Sequence, residues 1–223
     1  MFEHIDIGNL PEAKDTTLAS GKRFYVTPEG NKYPSVTTML GAKEKPWLND
    51  WRKMLGEDRA AKETKRCAVR GEAIHEMAEK YLNNENVIQF PKQYDPKHVA
   101  GFNQIKMRLN KINNIRGQEL PLFSDSLKLA GRVDCVGEYD GRLSIIDFKT
   151  SNNNKDRQMI EDYFLQCTAY SIMWEEMTGE HIDNMVIIMS VEKGMVPLVF
   201  QEPTDKYIEP LVQRAVEYHR KVA

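Results

Sequence analysis

The residues best suited to chemistry lie in one stretch, GRVDCVGEYDGRLSIIDFKT, at positions 131–150. Within it, Asp140-Gly141 is a strong signal for a two-residue hairpin turn. Pairing outward from that turn places Asp134 opposite Asp147. Because like charges directly across a sheet are destabilising, two such carboxylates need a cation between them or a shared proton. The stretch therefore predicts a carboxylate site on two neighbouring strands.

A hard divalent cation with oxygen ligands, Mg²⁺ or Mn²⁺, is the natural occupant of such a site, as one ion or two. Lys149 shares a strand face with Asp147, where an ammonium group orients a water or stabilises developing negative charge. An exposed sheet face with scattered charges is the alternative. That reading suits Lys149 and Arg132 but not Asp147, which interrupts the apolar run at 145–148 and has poor strand propensity. A β-bulge would change the pairing.

Two helices carry further candidates. His75 lies one turn after Gly71, and the missing side chain at Gly71 predicts that another element packs closely beside the imidazole. Gln166 and Tyr170 are four residues apart and share a helix face. Each feature also has a plain structural reading, since a lone helical histidine is usually a partly buried polar residue and the second pair is typical of a core edge.

Charge and composition narrow the function classes. The net charge of −2 excludes a uniformly basic nucleic-acid binder. Two locally basic stretches, 43–70 and 97–116, favour one channel for a polyanion, although solvated helix faces explain them equally well. The candidate contacts in these stretches are Arg66, Arg70 and Lys106. The three cysteines form no CxxC pair, so we expect no zinc ribbon and no iron–sulfur cluster.

Periodicity predicts a mixed α/β domain with a central sheet. The first half reads as mostly helical, after a small hairpin and a short helix capped by Ser35. The predicted helices are 46–55, 58–82, 96–115, 156–178 and 205–222, and the predicted strands are 23–26, 32–33, 119–124, 129–139, 142–150, 184–191 and 195–200. No apolar run approaches the roughly 20 residues of a membrane span, and the N-terminus lacks the pattern of a signal peptide.

These elements together resemble the PD-(D/E)XK nuclease superfamily in its RecB-like branch. The matching residues are Gly71-x3-His75, Gly131-x2-Asp134, Asp147-x-Lys149 and Gln166-x3-Tyr170, in that branch's order on helix, strand, strand and helix. The segment Pro34-Ser35-Val36-Thr37 also resembles the phage and mitochondrial exonucleases of the branch. The resemblance implies a mixed sheet flanked by helices (57–223), preceded by a hairpin and a helical cap (1–56), as one compact unit.

The resemblance also implies roles. His75, Asp134, Asp147 and the backbone carbonyl of Phe148 would bind the divalent metal. Lys149 would position or activate the attacking water, and with Asp134 and Asp147 it forms the expected catalytic set. Gln166 and Tyr170 would support the site and contact nucleic acid, and the N-terminal helices would arch over a single strand.

The expected function is a Mg²⁺- or Mn²⁺-dependent DNA exonuclease acting on single strands or strand ends, in recombination or repair. An endonuclease on the same fold and a non-catalytic nucleic-acid-binding protein are the open alternatives. No helicase motif occurs in the sequence, so any unwinding would come from a helicase or a single-strand-binding partner. No Arg/Ser-rich transit segment precedes the domain, so we expect a cytoplasmic location in a bacterium or a phage-infected cell.

Overall fold

A computed structural model describes residues 1–17 and 23–222. The strands are β1 (Lys14–Thr17), β2 (Arg23–Val26), β3 (Lys32–Pro34), β4 (Ile112–Ser124), β5 (Leu129–Tyr139), β6 (Arg142–Ser151), β7 (Asn184–Val191) and β8 (Leu198–Pro203). The helices are α1 (Val36–Gly41), α2 (Pro46–Leu55), α3 (Glu57–Leu82), α4 (Phe90–Gln93), α5 (Pro96–Leu109), α6 (Glu161–Thr178) and α7 (Ile208–Val222), with 3₁₀ turns at Val87–Gln89, Gln158–Ile160 and Asp205–Tyr207.

Five strands form the main sheet in the order β4-β5-β6-β7-β8. All neighbours are antiparallel except β6 and β7, which run parallel and are joined through α6. The predicted mixed α/β architecture is therefore confirmed. Strand β6 is central, and its apolar run is buried because helices cover both faces of the sheet.

Each face of the sheet carries its own hydrophobic core. On one face, α3 and α5 contribute Ile74 and Phe102, which pack with Ile146 and Phe148 of β6. On the other face, α6, α1 and α7 pack against the alternate residues of the strands, with Trp174 as the largest buried side chain. Successive residues of β6 thus point into different cores, as the two-residue strand period requires.

Several predicted bounds hold and others do not. Strands 129–139 and 184–191 match the structure, and the predicted turn adopts positive φ at both Asp140 (50°) and Gly141 (80°), as a type I′ hairpin needs. The predicted helix 96–115 is wrong beyond Leu109, because Ile112 already begins β4 and pairs with Tyr139. Pairing along a long strand outweighs the helical spacing of the apolar residues there. Strand β1 was not predicted.

Helix α1 anchors part of the N-terminal region in the core. Ser35 caps that helix as predicted, its hydroxyl accepting a hydrogen bond from the Thr38 backbone amide at 3.0 Å. Val36 and Met39 of α1 are buried in the core beneath α6. Helix α2, by contrast, contains no buried residue. Among the described residues, no helix is long and apolar enough to cross a membrane.

Candidate active site

The two hairpin strands separate at the predicted carboxylate pair. Backbone pairing of β5 with β6 follows the predicted register from Tyr139 to Cys135 and ends there. At the next position the Asp134 side chain replaces the backbone as the hydrogen-bond acceptor, and its Oδ2 accepts a hydrogen bond from the Phe148 backbone amide at 2.7 Å. The register prediction was therefore correct up to the site, where a side chain replaces the backbone ladder.

Three potential metal ligands from three elements meet at this opening. Ligand atoms of His75 on α3, Glu119 on β4 and Asp134 on β5 lie within 4.8 Å of one another. The Nδ1 atom of His75 is 3.5 Å from Asp134 Oδ2, and the Phe148 ring meets the imidazole edge to face with centroids 6.0 Å apart. The structure thus brings together the predicted His75 and Asp134 and adds a carboxylate that motif spacing had not singled out.

Strand pairing explains how Glu119 reaches the site. Its neighbours Gln118 and Leu120 pair with Cys135 and Val133, so Glu119 lies directly across from Asp134. Its backbone has φ of 50°, an unusual conformation for a residue with a side chain, which marks local strain at the site. Counting the β4–β5 register back from the turn after Ser124 would have found this residue.

Helix α3 determines the position of the His75 imidazole through its length and its buried apolar face. Acidic Glu57 lies in its first turn and basic Lys80 in its last, which suits the helix dipole. Ile74 and Leu82 on its buried face hold it against the sheet. His75 therefore sits at the edge of that face, half-buried, over the separated ends of β5 and β6.

Asp147 and Lys149 form a buried ion pair beside the cluster. The Asp147 side chain has no exposed surface, and Lys149 Nζ lies 2.5 Å from its carboxylate oxygens. Burial raises the pKa of Asp147, with Lys149 opposing that effect. Burial acts to lower the pKa of Lys149, but the neighbouring Asp147 and Asp134 outweigh it and the net shift is upward. The lysine is thus held as a cation, 5.1 Å from the centre of the Tyr163 ring.

Electrostatic strain concentrates on Glu119. Partial burial raises its pKa to about 7, the negative charge of Asp134 adds to that rise, and His75 opposes it. The ionised form of such a carboxyl group, beside a second carboxylate, is strongly stabilised by a cation bound between the two.

Helix α6 supports the site from the other side. Gln166 and Tyr170 are both buried, and Gln166 Nε2 donates to the Tyr170 hydroxyl at 3.1 Å. Tyr170 packs on Gly131, where an added Cβ would lie only 2.7 Å from the ring. The glycine of the Gly131-x2-Asp134 motif therefore makes room for the tyrosine of the Gln166-x3-Tyr170 motif.

Comparison with known proteins identifies the family. The family model of the PD-(D/E)XK nuclease superfamily matches residues 48–222. This chain belongs to the PD-(D/E)XK nuclease superfamily. It is 30% identical over 169 residues to mitochondrial genome maintenance exonuclease 1 of Mus musculus, and 29% identical over 175 residues to that of Homo sapiens. Those matches cover 70% and 72% of this chain but 48% and 49% of the relatives, so the chain spans about half their length.

The residues of this PD-(D/E)XK chain suit a divalent cation. The cavity over the site has a volume of about 760 Å³ and is lined by five carboxylates and three basic side chains among the described residues. These are Glu72, Glu76, Glu79, Glu119 and Asp134 against Arg23, Arg132 and Lys149. Such a lining repels a phosphodiester unless cations offset it. Asp147 Oδ2 is buried and accepts no well-aligned hydrogen bond, with the Lys149 ammonium 2.5 Å away.

The predicted basic contacts lie elsewhere in this PD-(D/E)XK fold. Arg66 and Arg70 both bind Glu192, at 2.6 and 2.5 Å, and Lys106 Nζ lies 5.1 Å from the centre of the Tyr81 ring. None of the three lines the site cavity. Gly71 does line it, but the nearest atom to an added Cβ there would be Thr150 Oγ1 at 3.5 Å, an ordinary contact. The close packing expected at Gly71 is therefore not required.

Proposed function

We propose that this chain is a Mg²⁺- or Mn²⁺-dependent exonuclease that hydrolyses phosphodiester bonds of DNA, on single strands or strand ends. One observation carries the proposal: His75, Glu119 and Asp134 converge from three elements beside the buried Asp147–Lys149 pair. The family match and relatives described as exonucleases support it.

Each residue has a role in this proposal. His75, Glu119 and Asp134 would hold the cation, with Asp147 and the Phe148 carbonyl close by on β6. A bound divalent cation supplies positive charge against the phosphate oxygens and lowers the pKa of water. The Lys149 ammonium, fixed by Asp147, would orient the attacking water and stabilise negative charge as it develops. Gln166 and Tyr170 hold this wall of the cavity.

Helix α2 supports a single strand as the substrate. It carries apolar side chains without burying any, and Trp47 is 63% exposed. Basic Arg52 and Lys53 lie on the same helix. Exposed aromatic rings beside cations are typical of surfaces that stack unpaired bases. We propose that α2 covers the strand near the site, and that any duplex is opened by a helicase or single-strand-binding partner.

The decisive experiment is a cleavage assay with end-labelled linear single strands, the matching duplex and a covalently closed single-stranded circle, in Mg²⁺ and in Mn²⁺. We expect loss of the linear strand, with the 5′ and 3′ labels giving the polarity. Asp147→Asn should abolish cleavage, because it removes the charge that fixes Lys149, while strand binding is retained.

Asp183→Asn is the matched control, since Asp183 is exposed and pairs with Arg142 before β7 begins. It should cleave at the wild-type rate. Cleavage by folded Asp147→Asn at that rate would refute the site assignment. Cutting of the circle would make the chain an endonuclease, and strand binding without any cutting would make it a nucleic-acid-binding protein.

A further inference from the structure

Among the described residues, two arginines in the site cavity form no ion pair. Arg23 on β2 and Arg132 on β5 are exposed and line the cavity. Among the described residues, no carboxylate lies within 4.0 Å of either guanidinium group, whereas Arg66, Arg70 and Arg116 are all ion-paired. The Arg132 side chain donates a hydrogen bond to the Glu119 backbone carbonyl, at 3.3 Å.

Strand geometry places Arg132 beside the metal cluster. Arg132 precedes Asp134 by two residues and shares its face of β5, so the two side chains leave the strand roughly 6.6 Å apart. Neighbouring phosphates of an extended nucleic-acid strand are separated by a comparable distance. A phosphate bound over Asp134 would therefore leave its neighbour within reach of Arg132.

The opposite wall of the cavity is acidic. Glu72, Glu76 and Glu79 of α3 line it, and although Lys80 pairs with Glu76 at 2.6 Å, Glu72 and Glu79 form no ion pair among the described residues. A phosphate is repelled from this wall and attracted to the one formed by β2 and β5. The charge distribution thus selects one side of the cavity for the sugar–phosphate backbone.

We propose that Arg23 and Arg132 bind the phosphate next to the one being cleaved and so set the path of the strand along β2 and β5. This inference rests on the proposed function, because it concerns the same cavity and substrate. Arginine suits the task, since its planar group donates two parallel hydrogen bonds to a phosphate.

The test compares Arg132→Gln, Arg132→Lys and Arg23→Gln with the wild type. The probe is a fluorescent all-thymidine single strand, and binding is measured in Ca²⁺ to limit cleavage. In a series of otherwise identical strands, one phosphate at a time is replaced by a neutral methylphosphonate. Arg142→Gln is the control, because Arg142 pairs with Asp183 where β6 begins, away from the site. Cleavage in Mg²⁺ is measured in parallel.

We expect wild type and Arg142→Gln to lose about tenfold in affinity when the phosphate beside the cleaved bond is neutralised. Arg132→Gln should bind the unmodified strand about threefold more weakly and should lose only about threefold more on that neutralisation, because Arg23 still contacts the phosphate. Its slope of log affinity against log salt should flatten by about 0.7, the value for one lost phosphate contact. Arg132→Lys should recover part of the affinity, and Arg23→Gln should show the same pattern as Arg132→Gln.

Equal sensitivity of wild type and Arg132→Gln at every position would overturn the inference. If Mn²⁺ still raises the melting temperature of Arg132→Gln, Glu119 is undisturbed in that variant. If that rise is lost, the weaker strand binding comes from damage to the metal site, and this outcome would also overturn the inference. Absence of cleavage by wild type, with binding still dependent on Arg132, would refute the exonuclease and leave the phosphate subsite standing.

Discussion

Glu119 shows how strongly one residue can be shaped by its neighbours. Its carboxyl group is partly buried, lies opposite Asp134 and has its pKa raised to about 7 from the ordinary value of 4.5. In the unfolded chain the same group ionises near that ordinary value. The folded state therefore holds this proton more tightly than the unfolded state, and ionisation of Glu119 weakens the fold when no metal is bound.

The pH dependence of stability should reveal this residue. With chelator present, the contribution of Glu119 is full below about pH 4.5 and is lost as the pH rises through about 7. Glu119→Gln removes the titration, so wild type should lose stability relative to this variant between pH 5 and 8. Thermal melts across that range measure the difference.

Glu209→Gln, an exposed change on α7, is the control and should follow wild type at every pH. Parallel curves for wild type and Glu119→Gln would contradict the assignment of this titration to Glu119.

At the scale of the elements, the two motif glycines, Gly131 and Gly71, differ in whether the structure has room for a methyl group in their place. A methyl group at Gly131 would press on the Tyr170 ring at 2.7 Å, between a strand and a helix that are both buried. We expect Gly131→Ala to cost about 1–3 kcal/mol of unfolding free energy and to lower cleavage by shifting Tyr170. Urea unfolding measures the first effect and the labelled-strand assay the second.

Gly71→Ala is the matched comparison, because the same methyl group fits there and alanine favours the interior of a helix. It should be neutral or stabilise the protein by up to about 1 kcal/mol. Equal destabilisation by the two substitutions would mean that α3 packs more tightly than the structure shows.

Local rules predicted the β5–β6 hairpin because its turn residues set both the backbone conformation and the pairing. They failed at Ile112, where helical spacing continued although pairing with β5 had begun, and at Glu119. Strand β4 was predicted too short, and its register with β5 shifts between Asn113 and Gly117, beyond Glu119 as counted from the turn after Ser124. Glu119 faces Asp134 in the register set by that turn, but no motif spacing marks it as a ligand. The partners of Arg66 and Arg70 were missed because Glu192 is more than 120 residues away in sequence.

At the scale of the whole molecule, the proposed metal would join segments that are distant in the chain. His75, Glu119 and Asp134 belong to α3, β4 and β5, and the unfolded chain has no preformed site. A metal that binds only the folded state stabilises it by about 2.7 kcal/mol at a concentration one hundred times its Kd. For a chain of this size we expect Mn²⁺ to raise Tm by about 5–10 °C.

Asp134→Asn should abolish most of that rise in Tm, whereas Asp140→Asn, in the exposed hairpin turn, should retain it. A rise of equal size in both variants would place the bound ion away from the proposed cluster.

The hydrogen bond from the Phe148 amide to Asp134 Oδ2 links the backbone of β6 to the proposed metal site. The Asp134 carboxylate that accepts this hydrogen bond would also bind the proposed cation. Because a bound cation withdraws electron density from the carboxylate, it would weaken the hydrogen bond from the Phe148 amide. The ¹⁵N–¹H signal of Phe148 should then move when an ion binds, and its deuterium exchange should change with it. A single backbone resonance would thus report occupancy of the site in the resting protein, before any strand is present and without turnover.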